Sequence, residues 1–234
     1  REFKGFEYRS HFKNREEAIA SYEKNIQMMC QLREILKEYG IEFMTFMAPD
    51  KPFIYPEYLP NRDTTSKPLR AFEYYSKRFE EIGFPNIEMT KWFKAMRDTV
   101  SHPIMQTIDS HWSFSAVYGC DSLLKYLNSL NNFGIPEIKY GKAIKTDKKP
   151  SYEEKVLNML FPVIKKNHNY RIDVEVIKNE NTKKPRILFV GDSFIWAIND
   201  HMPLKDILSD MEIWYYNSTV HQGFELNKKK KQDI

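Results

Sequence analysis

Three side chains have the types and spacing for nucleophilic acyl chemistry: Ser193, His111 and Asp109. Ser193 lies in Arg186-Ile187-Leu188-Phe189-Val190-Gly191-Asp192-Ser193-Phe194. The Ile-Leu-Phe-Val run between Pro185 and Gly191 predicts a short strand buried on both faces, as in parallel sheets. Phe194 to Asn199 is compatible with a helix. A strand that turns into a helix at Gly-Asp-Ser sets the serine at the carboxyl end of a sheet, where open α/β sheets bind ligands. It also sets the serine at a helix N-terminus, where unpaired backbone N–H groups favour negative charge. A reaction that builds an oxyanion needs that environment. Plain helix capping suits the same residues, since Asp and Ser are both preferred N-caps. The two roles are compatible.

A serine hydroxyl is a poor nucleophile until a base takes its proton. Of the six histidines, His11, His168 and His201 sit among charged residues and read as surface. His102 precedes a proline, and His221 reads as part of a C-terminal loop. His111 differs because Asp109 stands two positions before it. In an extended segment such residues face the same side, ~6.6 Å apart along the chain. A carboxylate there fixes the imidazole tautomer and stabilises the imidazolium. Trp112 is placed to pin this loop by packing. The alternative for Asp109-Ser110-His111 is a simple helix-start turn capped by Ser113 or Ser115.

The elements that must position these groups follow a β/α pattern. Asn14 and Glu17 form a capping-box-like pair at the head of a helix. Ile19, Tyr22, Ile26, Met29, Leu32 (or the stem of Arg33) and Leu36 continue it at helical spacing, and Gly40 suits its end. Ile41 to Met47 reads as a strand. Residues 49–68 carry five prolines and read as an extended loop. A helix is expected over Leu69 to Ile82, a short strand over Asn86 to Met89 and a helical turn over Lys91 to Arg97. A further helix is expected from Ser115 to Leu130, then a polar loop over 131–151 and a helix from Tyr152 to Lys166 broken near Pro162. Tyr170 to Ile177 suits an edge strand or an inserted hairpin. After the serine turn, Pro203 divides the next helix, and Glu212 to Tyr216 reads as a strand. The expected architecture is a single α/β domain over 1–234, with a mostly parallel sheet, helices on both faces, and residues 1–13 and 225–234 peripheral.

Composition narrows the function. Hydrophobic content of 41% with 15% aromatics is that of a globular chain. The net charge is +4, and the one lysine block, Lys228 to Lys231, reads as a solvated tail or loop. No basic face interleaved with aromatics points to nucleic acid. No stretch has the ~18 apolar residues of a transmembrane helix. The chain begins at Arg1 rather than Met, and a signal or anchoring segment is expected outside it. Cys30 and Cys120 read as buried free thiols, with one disulfide as the alternative. No Cys/His cluster has metal-ligand spacing, so no metal or cofactor is expected.

Three stretches in order resemble the SGNH-hydrolase-like domain of the alginate and exopolysaccharide O-acetyltransferases, the AlgJ/AlgX-like group with its DHHW-type members. Ala48-Pro49-Asp50-Lys51-Pro52-Phe53-Ile54-Tyr55-Pro56-Glu57-Tyr58-Leu59-Pro60 is similar to that family's Pro-x-Lys…Tyr-Pro-x-x-Leu-Pro segment. Asp109-Ser110-His111-Trp112-Ser113 is similar to its Asp-x-His-Trp-Thr signature, and Gly191-Asp192-Ser193-Phe194 to its Gly-Asp-Ser-Phe turn. The Asp-x-His block comes first, the permuted order of the family. The resemblance spans roughly residues 14–220 and implies a three-layer α/β/α fold. It implies Ser193 as nucleophile, His111 as base, Asp109 as orienter and the Ser193 N–H in an oxyanion hole. Asn217-Ser218-Thr219 stands where the pattern places a glycine with a second oxyanion N–H, a departure. Asp192, Asn217, Lys51, Tyr55 and Trp112 are the further candidate oxyanion or substrate contacts. Tyr55, Tyr58, Trp92 and Trp112 are candidates for stacking on sugar, with core packing as their alternative.

By the same resemblance the chain works outside the cytoplasm, at the cell surface or in the periplasm. It would act as a monomer on a polysaccharide acceptor, with acetyl delivered by a membrane acyltransferase partner. A carbohydrate acetylesterase using the same residues and a non-catalytic envelope assembly protein are the rival functions.

Overall fold

The computed structural model describes residues 14–58, 70–105, 111–146, 169–178, 180–216 and 218–230. Asp109, Asn217, His11, His168 and the helix expected over 152–166 lie outside the described residues. The chain divides into two compact units, Arg1–Ala95 and Met96–Ile234.

In the first unit, helix α1 (Arg15–Glu38) begins where Asn14 Oδ1 accepts the Glu17 N–H at 2.8 Å. That bond satisfies one of the orphan donors of the first turn. Of the two residues weighed for the inner face, Arg33 turns inward and Leu32 outward at 44% exposure. The Arg33 guanidinium pairs with Glu42 at 2.9 Å, so its stem is half-buried while its charge is met. Strand β1 (Thr45–Met47) and strand β2 (Asn86–Glu88) pair in parallel. Between them, α2 (Lys51–Ile54) and a 3-10 turn (Pro56–Tyr58) interrupt the loop expected there. The proline pattern did not forbid α2, because Pro52 falls in the first turn, where a missing N–H costs nothing. Helix α3 (Ala71–Ile82) stops at Gly83 in the left-handed region, and α4 (Thr90–Met96) follows β2. Ile26, Phe79 and Phe84 form the core, joined by Met29, Phe43 and Met47.

In the second unit, a 3-10 turn (Ser113–Ser115) leads into α5 (Ala116–Asn131). Two short strands, β3 (Glu137–Tyr140) and β4 (Ile144–Thr146), replace the polar loop expected over 131–151. They pair antiparallel with β6 (Val174–Ile177) and β5 (Asn169–Arg171) respectively. Their alternation is too short to stand out in a lysine-rich stretch. It is the partner strands that satisfy their backbone.

Strand β7 (Arg186–Gly191) and strand β8 (Asp210–Tyr215) pair in parallel, connected through α6 (Phe194–His201) and α7 (Leu204–Ile207). A parallel pair needs such a crossover, and Pro203 divides it as expected. Strands β9 (Thr219–Gln222) and β10 (Asn227–Lys230) complete a four-stranded sheet in the order β10-β9-β8-β7. The stretch read as a C-terminal loop and lysine tail is therefore strand. Its lysines sit on an outer strand, where charge discourages further pairing.

Two pairings among the described strands are parallel, β1–β2 and β7–β8, and the other four are antiparallel. The expectation of a mostly parallel sheet thus holds only where a helix makes the crossover. Strand β7 is also not buried on both faces: Leu188 is 49% and Val190 61% exposed. The apolar run marked a strand correctly, but its side chains alternate between a partly covered face and an open one. Both cysteines are free thiols. No helix among the described residues is long and apolar enough to cross a membrane.

Gly134 and Gly223 share φ +66°, but only Gly134 is also crowded, since an added Cβ would lie 2.8 Å from the Asn181 carbonyl oxygen. Both Gly→Ala changes should destabilise, with Gly134→Ala costing ~1–2 kcal/mol more than Gly223→Ala in urea unfolding. Equal losses would show that the Asn181 contact yields without cost.

Candidate active site

The β7–α6 turn is built from three backbone facts. Gly191 closes the parallel ladder opposite Tyr215, and its carbonyl accepts the Tyr216 N–H at 2.8 Å. A Cβ at Gly191 would come 2.9 Å from the end of the Ile195 side chain, which packs back over the turn. Asp192 then accepts the Phe194 N–H on Oδ1 at 3.0 Å and the Ile195 N–H on its carbonyl at 3.3 Å. Its carboxylate does the capping that either residue could have done.

Ser193 occupies the N-cap position of α6 but makes no side-chain capping bond. Its Oγ instead lies 2.7 Å from His111 Nε2. Both residues are half-buried. A hydroxyl donating to Nε2 requires the ring proton on Nδ1. That is the tautomer in which imidazole can take the serine proton as the oxygen attacks a carbonyl. As N-cap, Ser193 also has its N–H outside the helix's own ladder, at the end where the dipole favours negative charge.

What holds His111 against the turn is its neighbour. The indole N–H of Trp112 donates to the Phe194 carbonyl oxygen at 2.9 Å, and the His111 ring lies 5.0 Å from the Phe194 ring. Trp112 is buried to 1% exposure. Of the two readings of Trp112, packing is the one the structure shows, and sugar stacking is not. Its faces are spent on the core, and its one polar atom staples the His111 segment to α6. Immediately after it the chain reverses at Ser113, φ +49°, and enters the 3-10 turn before α5. The helix-start alternative and the catalytic one thus describe the same segment, though Ser115 donates its hydroxyl to the Trp112 carbonyl rather than capping α5.

The other possible nucleophile and base of this unit have different surroundings. Cys120 is buried, which pushes its thiol up to about 12, so no thiolate forms near neutrality. His102 packs between Phe114 and Tyr170, with the Tyr118 hydroxyl 3.3 Å from its Nε2. Burial lowers its pKa. Among the described residues no group of three His, Cys, Asp or Glu could hold a metal ion.

The remaining candidates fall in the first unit or outside the described residues. Lys51 opens α2 behind Asp50, whose N–H donates to the buried Thr90 hydroxyl at 3.1 Å. The Tyr55 and Tyr58 rings are 5.9 Å apart, with Tyr58 73% and Trp92 39% exposed. Sequence reasoning missed the rings beside the serine turn, Trp196, Tyr215 and Tyr216. Their signal was present as an aromatic three positions after Ser193 and an aromatic pair closing the next strand.

The sequence matches the family described as "SGNH hydrolase-like domain, acetyltransferase AlgX" over residues 8–210. The fold is similar to the solved "O-Acetyltransferase Domain of Pseudomonas putida AlgJ", with a TM-score of 0.55 and 14% identity, over 87% of this chain and 73% of that one. It is also similar to Pseudomonas aeruginosa AlgX, with a TM-score of 0.51 and 18% identity, over 72% of this chain and 42% of that one. No curated protein shows a significant sequence match to the chain. The expected fold class is met: an α/β arrangement of the SGNH hydrolase-like type.

The capping geometry separates the roles of two adjacent residues. Asp192→Ala should destabilise by ~1 kcal/mol, while Ser193→Ala should leave the melting temperature nearly unchanged. Trp112→Phe should cost ~1 kcal/mol through the lost indole N–H bond to the Phe194 carbonyl, and Trp112→Ala ~3–5 kcal/mol. Thermal melts of the four variants check these values. A larger loss for Ser193→Ala than for Asp192→Ala would make serine the cap.

Proposed function

Because the chain belongs to the family of SGNH hydrolase-like, AlgX-type acetyltransferases, we propose that it moves an acetyl group through a covalent acetyl-Ser193 onto hydroxyls of a secreted polysaccharide. The observation that carries this reading is the 2.7 Å contact between Ser193 Oγ and His111 Nε2, made while Asp192 supplies the cap. Ser193 Oγ attacks the carbonyl carbon of an acetyl ester as His111 Nε2 takes its proton. The carbonyl oxygen becomes an oxyanion at the head of α6, met by the Ser193 N–H. When the tetrahedral intermediate collapses, the ester C–O bond breaks and His111 returns the proton to the leaving alcohol. An acceptor hydroxyl then repeats the sequence on acetyl-Ser193, giving its proton to His111 and releasing the serine.

Asp109 is assigned the Nδ1 side of His111, by its spacing in Asp-x-His and its place in the family signature. Asn217 is the candidate for a second oxyanion contact, and Lys51 and Tyr55 for substrate contacts. The acetyl group is expected from a membrane acyltransferase partner, with no further cofactor. The chain is read as a monomer working outside the cytoplasm at the cell envelope.

Acceptor choice separates this reading from a plain acetylesterase, since water and a sugar hydroxyl compete for the same acyl-serine. Wild-type protein should release p-nitrophenol from p-nitrophenyl acetate and carry one acetyl group by intact mass spectrometry. Ser193→Ala should lose the adduct, with turnover falling by up to about 10⁶-fold. With an oligosaccharide present, acetylated sugar should form in place of free acetate. Acetate alone would make the protein an esterase. Equal rates in wild type and Ser193→Ala would leave a non-catalytic envelope protein.

A further inference from the structure

A run of aromatic rings crosses from α6 to the end of the β8–β9 hairpin. The Trp196 ring lies 4.9 Å from the His221 ring and 5.4 Å from that of Tyr215, and the Tyr215 ring is 4.5 Å from that of Tyr216. The run begins at the serine turn itself. The Trp196 N–H donates to the Ser193 carbonyl at 3.3 Å, and the Tyr216 N–H donates to the Gly191 carbonyl at 2.8 Å. Both ends are therefore tied by backbone bonds to residues within two positions of, or at, Ser193. All four residues belong to the second unit.

Core packing does not account for the outer end of this run. Trp196, Tyr215 and His221 are half-buried, while Tyr216 is 61% exposed. Tyr216 also has φ +48°, a region that a bulky side chain occupies at a free-energy cost and that glycine or asparagine would occupy more cheaply. The β8–β9 hairpin accounts for the positive φ, but not for a bulky, largely exposed ring at that position in place of glycine or asparagine. Neighbouring polar groups are at hand: Ser218 and Asp192 are both exposed. Flat aromatic faces beside hydroxyl and carboxylate groups match a pyranose chain, whose rings have apolar C–H faces and hydroxyl edges.

We propose that Trp196, Tyr215 and Tyr216 form the acceptor subsite, a platform on which a polysaccharide chain stacks next to Ser193. The inference rests on the acetyl-serine reading for its choice of acceptor. It replaces the buried Trp112 as the stacking surface of this unit. Tyr216 lies at the carboxyl end of β8, so a chain laid on it approaches the end of the sheet where the serine turn stands.

Two probes test the platform, neutral cellohexaose and an anionic mannuronate hexamer, titrated calorimetrically into the wild-type protein and its variants. Tyr216→Ala and Trp196→Ala should each weaken binding of at least one probe about tenfold, and Tyr216→Phe should bind as wild type does. Tyr216→Gly should weaken binding as alanine does without lowering the melting temperature, because glycine accepts positive φ. This result separates ligand contact from a structural role, which would lower both. Unchanged dissociation constants in both alanine variants, or no binding of either probe to wild type, would overturn the platform. Intact mass of the acetylated wild type, measured alongside, reports on the acetyl-serine reading separately. An adduct with unchanged binding rejects the platform alone. No adduct with weakened variants rejects the acyl chemistry and leaves a glycan-binding face.

Discussion

The candidate chemistry of the second unit rests on one contact, the hydrogen bond between Ser193 Oγ and His111 Nε2 across 82 positions of sequence. A hydrogen bond of this kind contributes only ~1 kcal/mol net, too little to hold two segments by itself. The geometry is set by what surrounds it. On one side, the parallel ladder of β7 and β8 fixes where the strand ends. On the other, Trp112 commits a large buried surface and its indole N–H to α6. The histidine is held as the neighbour of an anchored tryptophan.

Capping shows how the turn frees its serine. A helix N-terminus leaves orphan N–H groups that attract any nearby oxygen. Had Ser193 met them, its hydroxyl would point back into its own helix. Asp192 meets the Phe194 N–H one position earlier, and the Ser193 hydroxyl turns to His111 instead. The Asp-Ser order thus divides labour between cap and reactive group.

The described sheet mixes two kinds of neighbour. Strands β7 and β8 run in parallel because the helical segment between them makes a crossover, while β9 and β10 return by tight hairpins and must run antiparallel. The first of those hairpins brings Tyr215 and Tyr216 to the end of the sheet where the serine turn lies. The second places Lys228, Lys229 and Lys230 in the outermost strand. A charge run that reads locally as a solvated tail is equally at home on a strand edge that must stay unpaired.

What the sequence determined by itself was local. Asn14 beside Glu17, Gly83 after a helical face, Pro203 between two helical turns and the apolar run ending at Gly191 each act through near neighbours, so element type and many boundaries were legible. The chemistry of Ser193 and His111 was legible as residue types and as a family resemblance. Several outcomes were not, and each depends on a partner distant in sequence. Strands β3, β4, β9 and β10 exist because other strands satisfy their backbones. The burial of Trp112 and the half-exposure of Leu188 and Val190 depend on which faces other elements cover. The cap could have been Asp192 or Ser193 by type alone, and only the folded chain showed that Asp192 Oδ1 accepts the Phe194 N–H while Ser193 Oγ lies against His111.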